Sequence, residues 1–259
     1  MSNEIRDYWD EQALKYADSP LATTPDGLCF GLELNELLRH LHGKKRVLDL
    51  GCGNGKKAEF LCEKLDFKAY VGVDFSPQMI KQALSLKKKL CESRPKFAKI
   101  LNFQQGNVLD SELFAPQRFD AIFTSRCLIN LSSFAEQKAA IKNVYKFLKK
   151  GGVFVMLENT LESLENLNLA RAEFALAPIS VRWHNCYFSQ SALLSFLRRL
   201  FVVEQISNFA STYYLISRTI NAVLGGENVD YNSPINALAS RLPAVGDFSP
   251  MKCFVLKKK

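Results

Sequence analysis

Residues 47–55 read V-L-D-L-G-C-G-N-G, and the rest of the chain is organised around them. Residues 47–50, apolar except for Asp49, predict a short buried strand, and a helical spacing of apolar residues begins at Ala58. Between them, alternating glycines allow a tight turn and let a ligand approach the backbone, while the N-terminus of the helix offers free N–H groups. Strand, turn and helix together predict a nucleotide-type binding loop rather than an ordinary turn.

The glycine spacing excludes two common ligands. A dinucleotide loop, G-x-G-x-x-G, needs a glycine where this chain has Lys56, and a phosphate loop needs Ser or Thr where it has Lys57. The pattern present, D-x-G-x-G-x-G, resembles that of class I (Rossmann-like) S-adenosylmethionine-dependent methyltransferases. The resemblance implies that the loop Gly51, Cys52 and Gly53 packs against the amino-acid part of the cofactor. It also implies that Asp49, at the strand end, faces the methionine end.

A second predicted strand ends in Asp74, 25 residues after Asp49 (74 − 49). A strand-terminal carboxylate at this distance accepts hydrogen bonds from ribose hydroxyls in nucleotide folds, and the resemblance assigns Asp74 that role. The alternative is a helix N-cap, for which Ser76 is better placed because Pro77 follows it. Phe75 and Met79 are expected to flank the adenine.

The third predicted strand leads into Gly106, Asn107 and Val108. Members of the family often have Asp where this chain has Asn107, and that Asp accepts from the adenine amino group while the next backbone N–H meets a ring nitrogen. An amide oxygen also accepts a hydrogen bond, without charge. We therefore expect Asn107 and Val108 to contact adenine.

The fourth predicted strand ends beside Arg126 and Asn130. Ligands in open α/β sheets bind beyond the carboxyl ends of the strands, so both side chains are expected at the cofactor or the substrate. Arg126 is either a clamp for a carboxylate or phosphate of the substrate, or the partner of the cofactor carboxylate or of a neighbouring acid.

Alternating strands and helices predict a doubly wound α/β sheet. The resemblance implies seven mostly parallel strands in the order 3-2-1-4-5-7-6, the last antiparallel, with an N-terminal helical lid and a helical insertion. We predict one domain, residues 1–259, divided into an N-terminal cap (1–45), a cofactor-binding core (46–159) and a substrate-side part (160–259). The predicted strands are residues 47–50, 69–74, 100–105, 119–125, 153–157, 201–206 and 251–256.

Residues 3–17 predict an amphipathic helix that carries Tyr8, Trp9 and Tyr16. In the family this helix often covers the cofactor, so Tyr16 is expected at the cofactor and Tyr8 at the substrate. The alternative is that these aromatic side chains only attach the helix to the core.

The predicted loop 177–188 carries Arg182, Trp183 and His184, and loops commonly select substrates. His184 is the first candidate for a general base because its ordinary pKa lies near neutrality, and Glu158, at the end of the fifth strand, is the second. Tyr213 and Tyr214, further along the chain, are also expected to contact the substrate. The W-H-N and G-D-F-S-P segments resemble a bacterial subgroup that acts on small molecules.

Apolar runs and the positions of cysteine and histidine exclude several other classes of protein. No apolar run approaches 18 residues and the N-terminus is polar, so we expect no membrane span, no signal peptide and a cytoplasmic protein. The seven cysteines form no C-x-x-C pair, and His40 and His42 lack a third ligand in the sequence, so no metal site is expected.

The net charge is +8, but the basic clusters lie mostly at helix ends, and no N-P-P-[YF] signature follows the fourth strand. Nucleic acid is therefore not the expected partner. The predicted function is methyl transfer from S-adenosylmethionine, leaving S-adenosylhomocysteine, to a hydroxyl or amine of a small anionic molecule such as a sugar nucleotide or phosphorylated metabolite. An RNA or protein methyltransferase and a non-catalytic S-adenosylmethionine-binding protein are the alternatives, and the oligomeric state is left open.

Overall fold

The computed structural model describes residues 2–114, 116–226 and 230–259. They contain one seven-stranded sheet in the order β3-β2-β1-β4-β5-β7-β6. Neighbouring strands are parallel except β7, which runs antiparallel to β5 and β6. The predicted fold class is confirmed. The strands are β1 (Arg46–Leu50), β2 (Ala69–Asp74), β3 (Leu101–Gln105), β4 (Phe119–Ser125), β5 (Leu148–Asn159), β6 (Phe201–Ser207) and β7 (Met251–Lys258).

Helices cover both faces of the sheet. Successive strand residues point to opposite faces, so Val47 packs in one apolar cluster with residues of α2 and α3, while Leu48 packs in a second cluster with residues of α6 and α8. The helices are α1 (Asn3–Tyr16), α2 (Gly27–Leu41), α3 (Lys56–Lys64), α4 (Pro77–Ser93), α5 (Phe97–Ile100), α6 (Phe134–Phe147), α7 (Leu161–Ala172), α8 (Gln190–Leu200), α9 (Ser211–Leu215), α10 (Asn221–Gly225) and α11 (Pro234–Ala239).

The carboxyl ends of β1, β2 and β4 meet at one edge of the sheet. β1 pairs with β2 on one side and with β4 on the other, so the strand order reverses next to β1. The loops that follow these strands leave in different directions at such a point and open a crevice between them. The glycine-rich loop lies at this crevice.

Helix α1 is attached beside the glycine-rich loop by polar contacts. Asp10 accepts hydrogen bonds from the Ser76 hydroxyl and, at 3.2 Å, from the backbone N–H of Gln78, at the start of α4. The Asn54 amide donates to the carbonyl oxygens of Ala17 and Ser19 at 2.9 and 2.8 Å. These contacts join the N-terminal segment to two elements of the crevice.

Element ends differ from the prediction mainly where glycine or a bulge intervenes. β5 begins at Leu148 rather than at residue 153, because Leu148 pairs with Phe119 before a register shift brings Val153 opposite Ala121. Between α9 and α10 the residues Ile216–Ile220 form a π-helical turn. No helix in the described ranges is both long and apolar enough to cross a lipid bilayer.

Candidate active site

The glycine-rich loop packs too closely to admit side chains at two of its positions. Gly51 has φ +78°, and a Cβ there would lie 2.6 Å from the Cys127 Cβ. Gly53 has φ +55°, and its Cβ would lie 2.8 Å from the Thr23 Cγ2. Both the backbone angle and the close approach therefore require glycine, and they leave the loop backbone bare at the crevice.

Asp74 fixes this loop to the end of β2. Its Oδ2 accepts the backbone N–H of Gly53 at 2.8 Å, and its Oδ1 accepts that of Ser76 at 2.9 Å. Burial raises the pKa of Asp74, while the two backbone N–H groups lower it. Each oxygen retains a lone pair for a further donor.

A cavity of about 660 Å³, the first cavity, opens between the ends of β1, β2 and β4, next to α1. It is lined by seven of the residues predicted to bind the cofactor: Gly51, Gly53, Asp74, Phe75, Met79, Val108 and Arg126. The side chains that the sequence placed on separate strands thus meet around one space.

Four other residues predicted to bind the cofactor do not line the first cavity. Asp49 is fully buried behind the loop, where burial raises its pKa to about 6 and its Oδ2 accepts the Tyr70 hydroxyl at 2.7 Å. Cys52 is buried in the apolar cluster that contains Val47. Asp49 was predicted to face the methionine end of the cofactor, and Cys52 to belong to the loop that packs against its amino-acid part. The side chains of both point into the fold.

The other two are Asn107 and Tyr16. Asn107 uses its Oδ1 to accept the backbone N–H of Leu109 at 3.0 Å, which closes a local turn. Such turns are the ordinary use of an Asn after a strand. Tyr16 packs with Met79 in a small apolar cluster and so helps to attach α1 to the core.

Several lining residues were missed by the sequence interpretation, among them Arg6, Thr23 and Lys57. For Lys57 a signal existed, since it lies four positions before Leu61 and therefore on the buried face of α3. Thr23 lies in a turn that carries no pattern, and only the fold brings it to the loop.

A second cavity of about 720 Å³ adjoins the first. Trp9, Thr23, Arg126 and Asn130 line both cavities and so form the junction between them. The Trp9 indole N–H donates to the Asn130 side-chain oxygen at 3.2 Å, and the Asn130 amide donates to the Arg126 carbonyl at 2.6 Å. Asn130 was predicted to contact substrate. It lies at the junction, where a ligand in the first cavity would meet a ligand in the second.

Arg126 lies at the junction with its charge already paired. Its backbone has φ +53°, and its guanidinium contacts the carboxylate of Glu33, a fully buried residue of α2. The Ser125 hydroxyl donates to the other Glu33 oxygen at 2.7 Å. Of the alternatives for Arg126, the structure shows the one in which it holds a neighbouring acid.

His184 lines the second cavity and is 94% buried, with a relative exposure of 6%. Its ring stacks on Tyr8 with 4.5 Å between centroids, so α1 meets the 182–187 loop here. Its Nδ1 is enclosed and has no hydrogen-bond partner among the described residues. Burial, and then the charge of Arg182, lower the pKa of His184, which keeps the ring neutral and able to accept a proton near pH 7.

Of the remaining residues predicted to bind substrate, some line the second cavity and the others lie behind or beside its wall. Arg182 and Tyr214 line the second cavity. Tyr8 and Trp183 contact the His184 ring without lining the cavity, and Trp183 is 61% exposed. Tyr213 is buried and donates its hydroxyl to Asp26 at 2.7 Å, so it supports the wall of the cavity from behind.

Asp26 and Arg218 form a second buried ion pair, at 2.6 Å, that the sequence did not indicate. Asp26 also caps α2 by accepting the backbone N–H of Cys29 at 2.9 Å. The Arg218 guanidinium lies 4.8 Å from the centre of the Tyr214 ring. The π-helical turn carries Arg218, and turns of this kind often occur at functional sites.

Glu158, the second candidate base, lines neither cavity. It is fully buried, and its two oxygens accept the backbone N–H groups of Cys127, Leu128 and Ile129 at 2.9 to 3.2 Å. Burial raises its pKa to about 7. The prediction of a catalytic role does not agree with this placement, because the carboxylate serves to hold the loop after β4.

The fold also brings partners to His40 that the sequence did not show. Glu36, His40 and Cys253 have potential metal-ligand atoms within 4.8 Å of one another. The Glu36 oxygens already contact the His40 ring at 3.4 Å and the Arg39 guanidinium at 3.0 Å. These contacts account for the buried carboxylate, and the group lines neither cavity.

Comparison with known proteins identifies the family. A methyltransferase domain model matches residues 41–191, more than half of the chain. The ubiquinone biosynthesis O-methyltransferase of Idiomarina loihiensis is 27% identical over 203 residues, which cover 74% of this chain and 73% of that protein. The demethylmenaquinone methyltransferase of Thermus thermophilus is 31% identical over 44% of this chain. The chain spans less than half of the length of that enzyme and of other curated relatives that match over short stretches.

Solved structures share the fold. The N-methyltransferase NodS of Bradyrhizobium japonicum, determined with S-adenosylhomocysteine, superposes with a TM-score of 0.59. The match covers 97% of this chain and 98% of that one at 16% identity. At this identity the likeness shows the fold alone.

The first cavity fits the cofactor of this family. Asp74 presents carboxylate oxygens to it, and Gly51 and Gly53 line it without side chains, so a ligand can approach the loop backbone. The chain belongs to the methyltransferase domain family, and its sheet has the Rossmann-like fold of class I methyltransferases.

Proposed function

We propose that the chain transfers a methyl group to a hydroxyl or amine of a small molecule bound in the second cavity. The observation that carries this proposal is the junction, where Trp9, Arg126 and Asn130 border both cavities. A donor in the first cavity and an acceptor in the second meet there.

The cofactor supplies an activated methyl group on a sulfonium, so the chain's part is alignment and proton transfer. The hydrogen bonds from Trp9 to Asn130 and from Asn130 to Arg126 fix the junction walls. His184, on the acceptor side, is our candidate for the base that takes the proton of a hydroxyl acceptor. An amine acceptor loses its proton to water before attack and does not need His184.

The charges of the second cavity refine the expected acceptor. Arg126 is paired with Glu33 and Arg218 with Asp26, so neither is free to neutralise a ligand. Among the described lining residues, Arg182 is the cation that makes no ion pair. We therefore propose an acceptor with a single anionic group, and the multiply charged sugar nucleotides and phosphorylated metabolites expected from the sequence lack support.

The walls favour an acceptor with a flat ring. Tyr187, Tyr214 and Tyr231 line the second cavity together with His184 and Trp9. Two relatives are named for ubiquinone biosynthesis and for demethylmenaquinone. We propose a hydroxylated or aminated aromatic acid as the acceptor class.

A transfer assay with methyl-labelled S-adenosylmethionine tests this proposal. We expect label in hydroxylated or aminated aromatic acids and none in RNA or in protein substrates. Label in RNA or protein would support the alternative macromolecular methyltransferase and overturn the small-molecule acceptor. Binding of S-adenosylhomocysteine without transfer to any acceptor class would favour the non-catalytic alternative.

With a hydroxyl acceptor, His184→Ala is expected to lower kcat by about 10²-fold or more, because the base is lost. Calorimetric affinity for S-adenosylhomocysteine is expected to stay unchanged, since His184 does not line the first cavity. His42→Ala, at an exposed position, is the matched control and should change neither quantity. Full turnover in His184→Ala would remove this residue from the mechanism.

A further inference from the structure

Lys57 is a buried cation on the wall of the first cavity. It is 4% exposed and is the second residue of α3, directly after the glycine-rich loop. Its neighbour Lys56 forms an ion pair with Glu59 at 2.7 Å. Within residues 2–114, 116–226 and 230–259, the Lys57 ammonium has neither an ion pair within 4.0 Å nor a hydrogen bond. The Phe30 ring, 5.9 Å from its nitrogen, is the aromatic group it lies over.

An ammonium largely removed from bulk water without an ion pair at contact distance is costly, and a cation–π contact at this distance offsets little of that cost. Two carboxylates lie near Lys57 without forming an ion pair with it at contact distance. Asp74 accepts the backbone N–H groups of Gly53 and Ser76, one on each oxygen. Asp49 accepts the Tyr70 hydroxyl on Oδ2, and its Oδ1 has no hydrogen-bond partner among the described residues. Lys57 acts on both at longer range, since its charge lowers their pKa values against the effect of burial.

The position of Lys57 relative to Asp74 distinguishes the two ends of the first cavity. Asp74, Phe75 and Met79 lie at the end of β2 and the start of α4, where a nucleoside is expected. Lys57 lies at the start of α3, which directly follows the glycine-rich loop after β1. S-adenosylmethionine carries a sulfonium, an ammonium and one carboxylate, and Lys57 attracts only the last of these.

We infer that Lys57 binds the α-carboxylate of the cofactor's amino-acid arm and makes the first cavity selective for nucleosides that carry this carboxylate. The inference rests on the assignment of S-adenosylmethionine to the first cavity. It assigns to the lysine an ion pair at contact distance, whereas Asp49 and Asp74 act on it only from further away than 4.0 Å. A charge-assisted hydrogen bond to a buried ammonium is among the strong polar contacts.

Arg6 is the competing cation on the same cavity. Its guanidinium pairs with Asp7 at 2.9 Å, and its side chain is 34% exposed. Water and a carboxylate therefore already satisfy it, whereas neither satisfies Lys57. The two residues give opposite predictions and can be tested side by side.

The test measures affinity by calorimetry with the full chain and two ligands. S-adenosylhomocysteine carries the amino-acid arm, and 5′-methylthioadenosine keeps the nucleoside and thioether without it. Lys57→Met is expected to weaken S-adenosylhomocysteine binding by about 10- to 100-fold and to leave 5′-methylthioadenosine binding within about twofold. Lys56→Met, the same change at a neighbouring lysine that has a partner, should alter neither affinity.

Equal weakening of both ligands in Lys57→Met would overturn the inference, because the lysine would then only support the cavity. If the preference for S-adenosylhomocysteine over 5′-methylthioadenosine is lost in Arg6→Met but not in Lys57→Met, the inference is overturned and Arg6 takes the role. If thermal unfolding shows that the Met variant does not fold, Lys57→Gln enters the same comparison with the same expected result. Absence of binding of either ligand to the wild-type chain would contradict the cofactor assignment itself, which is a separate outcome.

Discussion

The two cavities are built in different ways. The first is built around the bare backbone of the glycine-rich loop at the strand ends, with Gly51 and Gly53 packed against Cys127 and Thr23 and Gly53 held by Asp74. The second is formed by side chains from distant segments, and two of its arginines are neutralised by the protein's own acids, Glu33 and Asp26. A site made from backbone depends on local geometry, whereas a site made from buried ion pairs depends on every partner being present.

The largest expected effect comes from breaking an ion pair at the junction. Arg126→Met leaves the fully buried Glu33 without its cation and is expected to lower the free energy of unfolding by about 3–5 kcal/mol. Arg39→Met also removes an arginine from a buried glutamate of α2, Glu36, but Arg39 is 72% exposed, so about 0–1 kcal/mol is expected. Urea denaturation measures both.

Adding Glu33→Gln to Arg126→Met removes the uncompensated charge and should restore part of the lost stability. If Arg126→Met costs no more than Arg39→Met, the acceptor side does not depend on its ion pairs, and the contrast between the two cavities fails. If the double variant is no more stable than the single one, the loss arises from packing rather than from charge.

An intermediate effect is expected in the first cavity. Asp74→Ala removes a carboxylate that lines the cavity and holds Gly53, and should weaken S-adenosylhomocysteine binding by about 1–3 kcal/mol. Asn107→Ala should change the affinity little, because the Asn107 oxygen closes a turn at Leu109 outside the cavity. Calorimetric titration of both variants with S-adenosylhomocysteine measures the two changes in affinity.

Unchanged affinity in Asp74→Ala would refute the ribose role of this carboxylate. A comparable loss in Asn107→Ala would reinstate the predicted contact of Asn107 with adenine, and the turn would then have to open when the cofactor binds.

The smallest effect is a displacement of the pH profile. The pKa of His184 is lowered by burial and by Arg182, so the neutral base persists to a lower pH than it would for an ordinary histidine. Activity with a hydroxyl acceptor falls as the pH drops through this pKa. Arg182→Gln removes one of the two causes, so the pKa rises and the fall in kcat/KM should begin at a higher pH.

The profile of kcat/KM against pH checks this prediction, with Arg241→Gln as a control at an exposed arginine outside the second cavity. An acid limb that does not move in Arg182→Gln would mean that His184 is not the titrating base, or that Arg182 does not act on it in solution.

The sequence was most informative where function depends on the order of strand, turn and helix. A local motif at residues 47–55 and a strand-terminal Asp74 indicated the first cavity correctly, because the carboxyl ends of parallel strands converge. It was least reliable for side-chain direction. Asp49 and Glu158 both follow apolar strand residues. Asp49 accepts a hydrogen bond from the Tyr70 hydroxyl, whereas Glu158 accepts hydrogen bonds from the backbone of residues 127–129.

The sequence by itself determined the fold class, because hydrophobic periodicity records the alternation of strands and helices along contiguous residues. The glycine spacing carried the family resemblance, and that resemblance implied the sheet order and the cofactor. Only the tertiary structure decided the second cavity, where Asp26, Arg126, His184 and Arg218 meet from four separate parts of the chain. It also decided which charges are already paired and that Lys57 is buried at the first cavity. The physical reason is that burial and ion pairing depend on which distant segments pack together, and no local pattern records that.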